Sequence, residues 1–360
     1  MRLKPIHKFK PMQFDLFYEI SMPPFLERTE SQAYEETIEE IALADQLGFR
    51  CAWFVEHHFM RHYSHCSKPD LMLAALSQRT KNIRLGLGVV PMPLHHPVHT
   101  AERIATLDIL SRGRMEVGIG RGFSPEEFKV FGKEMGASRN TVDESLEILR
   151  LSFNKKPATF KGEHFQLEQT DILPHVVQTP HPPMWSAAVS PDSFPWVARQ
   201  QLGMLAGPFK PWLMTKHDIK NFLAAWDGEA PPRVGMTVGI VCLPDRNQAK
   251  QVAKQALTWF YQELFKTTLP VLEKLYPSYE HFHELGRFRD IMKLGINLTL
   301  LETFGMAVAG NPEDCIKQLR KYEAAGVNHM LLAVGAGAAK TEIVQESLRC
   351  IAQEVMPAFR

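Results

Sequence analysis

Short apolar segments alternate with amphipathic helical segments along nearly the whole chain, and this alternation constrains the fold more than any other feature. In the first pair, Phe14–Ile20 is aromatic and apolar, whereas Ala33–Gly48 repeats apolar residues at helical spacing. The candidate strands are Phe14–Ile20, Cys51–Val55, Ile83–Met92, Met115–Ile119, Met184–Val189, Met204–Gly207, Val234–Leu243 and His329–Val334. Strands separated by helices in this way predict one (β/α)8 barrel (TIM barrel) domain over residues 1–360.

Two segments are longer than a minimal barrel needs. Residues 158–174 resemble a small hairpin, and residues 276–300 are rich in His, Arg and Phe. Insertions of this kind often cover the C-terminal face of a barrel, where active sites lie. A doubly wound sheet is the alternative fold, but the first strand-to-helix connection lacks G-x-G-x-x-G, and the glycines of Gly118-Ile-Gly-Arg-Gly122 are spaced differently.

The charge balance limits the classes of partner. Lys and Arg number 41 against 40 Asp and Glu, and the net charge of +1 gives no electrostatic basis for binding nucleic acid or an anionic membrane. No apolar run approaches the roughly 20 residues of a membrane-spanning helix. Five scattered cysteines without a C-x-x-C pair predict neither a disulfide framework nor a zinc knuckle. We therefore expect a soluble protein of the reducing cytoplasm.

Catalytic residues of such barrels lie at the C-terminal ends of the strands, so polar residues there are the first candidates. The second strand ends in Glu56-His57-His58-Phe59. Neighbouring residues of a strand point in opposite directions, so only one of the two histidines is expected to face the barrel mouth. The pattern alone is equally compatible with histidines that are hydrogen-bonded within the barrel wall.

The same loop contains further histidines, which admit a metal site as an alternative. The candidate ligands are His57, His58, His62, His65 and Cys66. Imidazole and thiolate are good zinc ligands. The segment Arg61–His65 shows no helical pattern, however, and a metal-dependent barrel hydrolase is expected to have a His-x-His pair on a strand. We therefore expect no metal.

Two other strand ends are candidates for binding an anion. Arg121 lies between two glycines after the fourth strand, where its planar guanidinium could bind a phosphate. Ser190 and Ser193 follow the fifth strand, and we predict that Ser190 caps a helix whose first residue is Pro191. The start of a helix favours phosphate, although capping alone explains the same residues.

Short motifs occur in order over nearly the whole chain. They are Glu56-His-His-Phe59, His96-Pro-Val98, Leu110-Ser-Arg-Gly-Arg-Met115, Gly120-Arg-Gly122, Val130-Phe-Gly132, Ser138-Arg139 and, more weakly, Pro183–Gly203, Asn311–Ile316 and Val355-Met-Pro357. Together they resemble the bacterial luciferase-like family of flavin-dependent monooxygenases, and the luciferase α subunit in particular. The matches between residues 51 and 139 are the most specific, and the resemblance implies the same barrel with insertions.

The resemblance also implies which residues bind and use a flavin. His57 corresponds to the catalytic histidine near the reactive edge of the ring, and Gly88–Val89 to the family's cis peptide under the isoalloxazine. Residues 286–295 correspond to a mobile lid. The other implied FMN-binding residues are Gly120 and Phe123 beside the ring and Arg121, Arg139, Ser190 and Ser193 at the phosphate.

The function implied is that of a two-component monooxygenase. It uses O2 and reduced FMN, supplied by a separate flavin reductase, to oxygenate an apolar organic substrate. The leading reaction is oxygenation of a carbonyl compound, by Baeyer–Villiger-type or aldehyde oxidation. Hydroxylation is the second candidate reaction. The family commonly dimerises, so we expect a homodimer or a related dimer. The alternatives are a non-catalytic flavin-binding partner subunit and the metal-dependent hydrolase.

Three positions depart from the luciferase α subunit. Gly120, Ser124 and Val189 stand where that subunit has a cysteine, a tyrosine and a glutamate. These departures are compatible with flavin binding but weaken the expectation of light emission.

Overall fold

The structure, a computed structural model, describes residues 11–136, 138–208, 210–275 and 295–360, in which strands and helices alternate. Its strands are β1 (Gln13–Tyr18), β2 (Cys51–Phe54), β3 (Arg84–Pro91), β4 (Met115–Gly120), β5 (Ala158–Lys161), β6 (Gln166–Thr170), β7 (Met184–Ala188), β8 (Gly203–Ala206), β9 (Val234–Cys242), β10 (Ala307–Gly310) and β11 (His329–Val334). Its helices are α1 (Glu30–Leu47), α2 (Pro69–Arg79), α3 (Pro97–Leu110), α4 (Pro125–Val130), α5 (Ser138–Phe153), α6 (Ser193–Arg199), α7 (Trp212–Ala225), α8 (Arg246–Leu275), α9 (Leu298–Thr303), α10 (Pro312–Glu323) and α11 (Thr341–Cys350). None of the helices in these ranges is both long enough and apolar enough to cross a membrane.

The large sheet is largely parallel and closed. Its strands follow the order β10-β9-β11-β1-β2-β3-β4-β7-β8, and a further pairing of β8 with β9 completes a ring of eight strands. The predicted (β/α)8 barrel is therefore confirmed, and the ring consists of the eight predicted strands. β10 pairs with the second half of β9, from Ala307↔Gly239 to Gly310↔Cys242. The hydrophobic pattern missed β10 because its four residues are mostly small.

The two predicted insertions have different outcomes. Residues 158–174 contain the predicted hairpin, since β5 and β6 pair antiparallel with Phe160 opposite Leu167. Of the second insertion, 276–300, residues 276–294 lie outside the described residues. All of the predicted lid, 286–295, except its last residue therefore lies outside them too.

The chain divides into two compact units, which we describe one at a time. Unit I comprises the described residues of Phe17–Ala187 and Glu263–Pro277. Unit II comprises those of Met1–Leu16, Ala188–Gln262 and Ser278–Arg360.

Two tryptophans form the centre of the core of unit I. Trp53 and Trp185 are fully buried, and their rings meet edge to face with centroids 5.5 Å apart. A Cβ at Gly86 would lie 2.3 Å from the Trp53 ring, so only glycine leaves room for this indole. The Trp185 ring N–H donates to Glu116 Oε2 at 2.5 Å, which connects the core to a charged network.

This network lies at the amino-terminal ends of the strands and surrounds one buried carboxylate. Glu116 Oε1 accepts from Arg50 Nη1 at 2.7 Å and from Arg84 Nε at 2.5 Å. We call Arg50, Arg84, Glu116 and Trp185 the floor network. Because both oxygens of Glu116 are hydrogen-bonded, its charge can be buried without leaving an unpaired acceptor.

Unit II is built around β9, which is buried along its whole length. It pairs with β8 from Met204↔Val234 and with β11 from His329↔Gly235. At its end, Cys242 Sγ lies 3.6 Å from Cys350 Sγ, and both are free thiols.

Candidate active site

His57 follows β2 in unit I and lies between two buried carboxylates. Its Nε2 is 4.0 Å from Glu19 Oε2, and its Nδ1 is 3.6 Å from Glu127 Oε1. The Phe123 ring packs edge-on against the imidazole, with ring centroids 5.2 Å apart. The side chain of His57 is 15% exposed, so the ring is held by its neighbours and is still reachable from solvent.

Each of these carboxylates is fixed by a further donor. Glu19 comes directly after β1, and its Oε1 accepts from the Tyr63 hydroxyl at 2.7 Å. Glu127 lies in α4, and its Oε1 accepts from the backbone N–H of His58 at 2.8 Å. Glu19 Oε2 and His57 Nδ1 are buried and have no hydrogen-bond partner within the described ranges. Buried polar atoms are rarely left unpaired, and such atoms are available to a ligand.

The carboxylates determine how readily His57 is protonated. Burial lowers the pKa of His57, but the negative charges of Glu19 and Glu127 outweigh burial, and the pKa is raised above its usual value. For Glu19, burial raises the pKa and outweighs the charge of His57 and the hydrogen bonds from Tyr63 and Ser64, so the pKa of Glu19 is also raised above its usual value. His57 is therefore more basic than a free histidine.

The neighbouring histidine has different partners. His58 Nε2 lies 3.3 Å from Glu56 Oε1, and His95 Nε2 approaches the same oxygen at 2.5 Å. Burial raises the pKa of Glu56, but its hydrogen bonds with His58 and His95 outweigh burial and lower the pKa to about 2. The two adjacent histidines thus contact separate sets of side chains. Both lie in the loop after β2, which ends at Phe54, so the expectation that they continue the strand is wrong. We call the two sets together the rim cluster: Glu19, Glu56, His57, His58, His95 and Glu127.

The remaining histidines of the loop are dispersed. His62 Nδ1 lies 3.3 Å from the Met22 carbonyl oxygen. His65 is held between Glu30 Oε1 at 2.8 Å and the Arg61 carbonyl oxygen at 2.7 Å. In the part of the chain that the structure describes, no three His, Cys, Asp or Glu side chains are grouped so that they could hold a metal ion.

Two predicted phosphate ligands lie close together in unit I. Arg121 follows β4, and its Nε and Nη2 donate to the Ser138 hydroxyl at 3.1 Å and 2.9 Å. Arg139 is the next residue of α5 and is exposed. Across the described ranges, neither arginine has a carboxylate partner. Two cations without a counter-charge fit an anion such as a phosphate.

The predicted ring-binding residues of unit I are also neighbours. The peptide bond between Gly88 and Val89 is cis, which is the geometry that the family resemblance implies. A Cβ at Gly120 would come within 2.6 Å of Val89 Cγ2, so these two segments approach each other closely. Phe123 continues the same segment and contacts His57.

The two predicted serines lie in unit II. The helix α6 begins at Ser193 after Asp192, so the prediction that Ser190 is its N-cap is wrong. The Ser193 hydroxyl donates to the Ser190 carbonyl at 2.5 Å and accepts from the Val189 N–H at 3.1 Å. These two bonds fold residues 190–192 into a turn, which delays the start of the helix.

Sequence reasoning missed three charged residues at these strand ends. Glu19 and Glu127 bracket His57 in unit I. In unit II, Lys210 Nζ donates to the Val189 carbonyl at 2.8 Å and pairs with Asp218. Glu19 and Lys210 carry the signal that identified His57, namely a charged or titratable residue shortly after a buried strand.

Two curated relatives illustrate the sequence similarity. An uncharacterized protein, y4wF, of Sinorhizobium fredii is 36% identical over 168 residues, which are 47% of this chain and 49% of the relative. The match thus spans about half the length of that relative. The oxygenase component of the flavin-dependent trigonelline monooxygenase of Acinetobacter baylyi is 26% identical over 361 residues, which cover 97% of this chain and 97% of the relative.

Three solved structures show the same fold. The monooxygenase RslO1 of Streptomyces bottropensis has a TM-score of 0.81 at 24% identity, covering 97% of this chain and 100% of its own. The second is the oxygenating constituent of 3,6-diketocamphane monooxygenase of Pseudomonas putida, a type II Baeyer–Villiger monooxygenase solved with FMN. Its TM-score is 0.75 at 19% identity, and the match covers 98% of this chain and 99% of that one. The coenzyme F420-dependent tetrahydromethanopterin reductase of Methanopyrus kandleri has a TM-score of 0.70 at 17% identity. The match covers 98% of this chain and 100% of that one.

The family model for luciferase-like monooxygenases matches residues 12–329. This range begins just before β1 and includes the floor network, the rim cluster and the serines of unit II. The chain belongs to the luciferase-like monooxygenase family.

Proposed function

We propose that the protein is the oxygenase component of a two-component flavin-dependent monooxygenase. It takes reduced FMN from a separate flavin reductase and uses O2 to oxygenate an apolar organic substrate. The leading reaction is the oxygenation of a carbonyl compound, by Baeyer–Villiger-type or aldehyde oxidation. Hydroxylation is the second candidate reaction. The observation that carries the proposal is the His57 imidazole between Glu19 and Glu127, at the strand ends where barrels of this kind have their active sites.

The residues of unit I fit a flavin that bears a phosphate. Arg121 and Arg139 offer positive charge without a carboxylate partner in the described ranges. Gly120 has no side chain at a position where a Cβ would strike Val89, so the two segments proposed to bind the ring can lie against each other. When bound in its reduced form, FMN supplies the reaction with O2, and the chain supplies binding, orientation and protonation. Further proposed ligands are Gly88 and Phe123 at the ring and Ser190 and Ser193 of unit II at the phosphate.

His57 is the proposed catalytic residue. Histidine changes its charge near neutral pH, and the raised pKa of His57 keeps a proton available in that range. In the proposed reaction His57 exchanges this proton with the oxygen atom of the substrate. Phe123, whose ring contacts the imidazole, helps to exclude water from the reacting groups.

Two observations support a separate reductase. The sequence contains no dinucleotide-binding fingerprint after its first strand. The trigonelline monooxygenase relative is named as an oxygenase component, which implies a second component in that system. We propose the same division of labour here, in a cytoplasmic dimer.

Anaerobic titration with reduced FMN, followed by O2 and a panel of aldehydes and ketones, tests the proposal. We expect saturable binding of reduced FMN, weaker binding of reduced riboflavin, and a product that has gained one oxygen atom from O2. Reduced coenzyme F420 is the control, because a structural relative depends on it. Preference for F420 over FMN would contradict the proposal, and flavin binding without any oxygenation would favour the non-catalytic partner subunit.

A further inference from the structure

Both ring nitrogens of His57 face a carboxylate oxygen. Nε2 lies 4.0 Å from Glu19 Oε2, and Nδ1 lies 3.6 Å from Glu127 Oε1. A neutral imidazole has one N–H donor and one nitrogen lone pair. In either neutral tautomer, one lone pair therefore faces a carboxylate, and the two electron-rich groups repel each other. Only the imidazolium presents an N–H to both carboxylates.

We infer that Glu19 and Glu127 hold His57 as an imidazolium, so that His57 acts as a proton donor in the proposed oxygenation. The chemical role rests on the proposed function. The charged state of His57 does not, because it follows from the arrangement of the three side chains in the protein itself.

The hydrogen bonds around the carboxylates favour this state. Tyr63 donates to Glu19 Oε1, which leaves Oε2 directed at His57. The backbone N–H of His58 donates to Glu127 Oε1, which holds this oxygen in place beside His57 Nδ1. Glu56 adds a third negative charge near His57, although its own Oε1 is occupied by His58 and His95.

Glu19 contributes most among these charged groups. Burial lowers the pKa of His57, and the charge of Glu19 is the largest opposing influence, ahead of Glu127. Glu19 is therefore a positioning residue in our account, since it acts on the reaction through the charge of His57.

The proton of His57 is free to move. The two distances to the carboxylates exceed 3.5 Å, and His57 Nδ1 has no hydrogen-bond partner within the described ranges. When an oxygen nucleophile adds to a substrate carbonyl, the carbonyl oxygen gains negative charge. The proton then passes from the imidazolium to that oxygen, which leaves a neutral imidazole. Because 15% of the side chain is exposed, solvent can return the proton.

A histidine NMR titration of the whole, ligand-free protein tests the inference. The His57 signal is assigned by its loss in His57→Gln. We expect the wild-type midpoint to lie above the value of about 6.5 for a free histidine. In Glu19→Gln, which keeps the size of the side chain and an acceptor for Tyr63, we expect the midpoint to fall by about 1 to 3 pH units. The matched control is Glu30→Gln, which removes the exposed carboxylate beside His65 and is expected to leave His57 unchanged.

Two results would overturn the inference: a wild-type midpoint at or below that of a free histidine, about 6.5, or a Glu19→Gln midpoint equal to that of the wild type. If Glu19→Gln does not fold, the wild-type midpoint alone decides. The titration needs no cofactor, so failure of reduced FMN to bind would overturn the proposed function without changing the expected titration.

Discussion

The strands of unit I carry charged residues at both ends, and the two groups differ in how completely they are paired. In the floor network, one carboxylate is shared by Arg50, Arg84 and Trp185, and both of its oxygens accept hydrogen bonds. In the rim cluster, three buried atoms have no partner within the described ranges. They are Glu19 Oε2, Glu56 Oε2 and His57 Nδ1.

We interpret this difference as separating a network that stabilises the fold from one that is arranged for the proposed chemistry. A fully paired buried charge contributes rigidity, and removing one partner leaves the others uncompensated. A partly paired cluster costs stability and is retained where a ligand or a proton uses the open positions. In our proposal, the same strands hold the barrel together at one end and present reactive groups at the other.

Substitution in the floor network should have the largest effect on stability. Glu116→Gln leaves Arg50 and Arg84 without their carboxylate, and we expect it to lower the free energy of unfolding by about 3 to 5 kcal/mol. Urea unfolding measures this loss. The control is Glu39→Gln, since Glu39 pairs with Arg79 on the exposed surface and should cost less than about 1 kcal/mol. Equal losses in the two variants would remove the distinction between a stabilising floor and an ordinary surface pair.

Substitution of His57 should affect turnover instead. We expect His57→Gln to lower oxygenation by about 10² to 10⁴, the usual contribution of acid–base catalysis, while the fold and flavin affinity stay nearly unchanged. His58→Gln is the matched control, because His58 is bonded to Glu56 and packs on Phe131. It should lose stability more than turnover. If His58→Gln abolishes turnover and His57→Gln does not, the catalytic assignment is off by one residue.

The rim cluster should also make stability depend on acid. The folded protein holds the pKa of Glu56 at about 2, below its usual value of 4.5, despite burial. Glu56 therefore stabilises the fold above pH 4.5 and loses this contribution as the pH falls toward 2, an effect on the order of 3 kcal/mol. Urea unfolding of the wild type and Glu56→Gln at about pH 7 and about pH 3 measures it. A gap between the two proteins that does not narrow in acid would contradict the ionised state assigned to Glu56.

The smallest of these effects concerns the phosphate. Arg121→Ala removes a cation that has no carboxylate partner among the described residues. It should weaken binding of reduced FMN by about 1.5 to 3 kcal/mol, as for a charge-assisted hydrogen bond. Riboflavin lacks the phosphate and serves as the control ligand in the same anaerobic titration. Equal weakening for both flavins would show that Arg121 does not contact the phosphate.

Much of the fold is predictable from local sequence. The eight ring strands are apolar runs between helical segments, and Gly48 ends α1 with a φ of +85°, as the glycine at that position indicates. The cis peptide at Gly88–Val89 required the family resemblance, because no local pattern marks a non-proline cis bond. The turn at Ser190–Asp192 was missed because the Ser193 hydroxyl binds back onto its own chain.

The partners of the site residues could not be predicted from local sequence. The His58 N–H and its acceptor Glu127 are 69 residues apart, and Arg50 and Glu116 are 66 apart. Such pairs form only when the barrel brings different strand ends together. The sequence therefore identifies His57 as a candidate, whereas its charge state depends on Glu19 and Glu127, which only the folded chain places beside it.

The most direct test of the account compares wild type and His57→Gln in one experiment, by anaerobic binding of reduced FMN followed by a single turnover with O2 and a carbonyl substrate. We predict that both proteins bind reduced FMN with similar affinity and that the rate of oxygenation in the variant falls by about 10² or more. A wild-type protein that does not bind reduced FMN, or a variant that oxygenates as fast as the wild type, would contradict the claim that the rim cluster is the active site of a flavin-dependent monooxygenase.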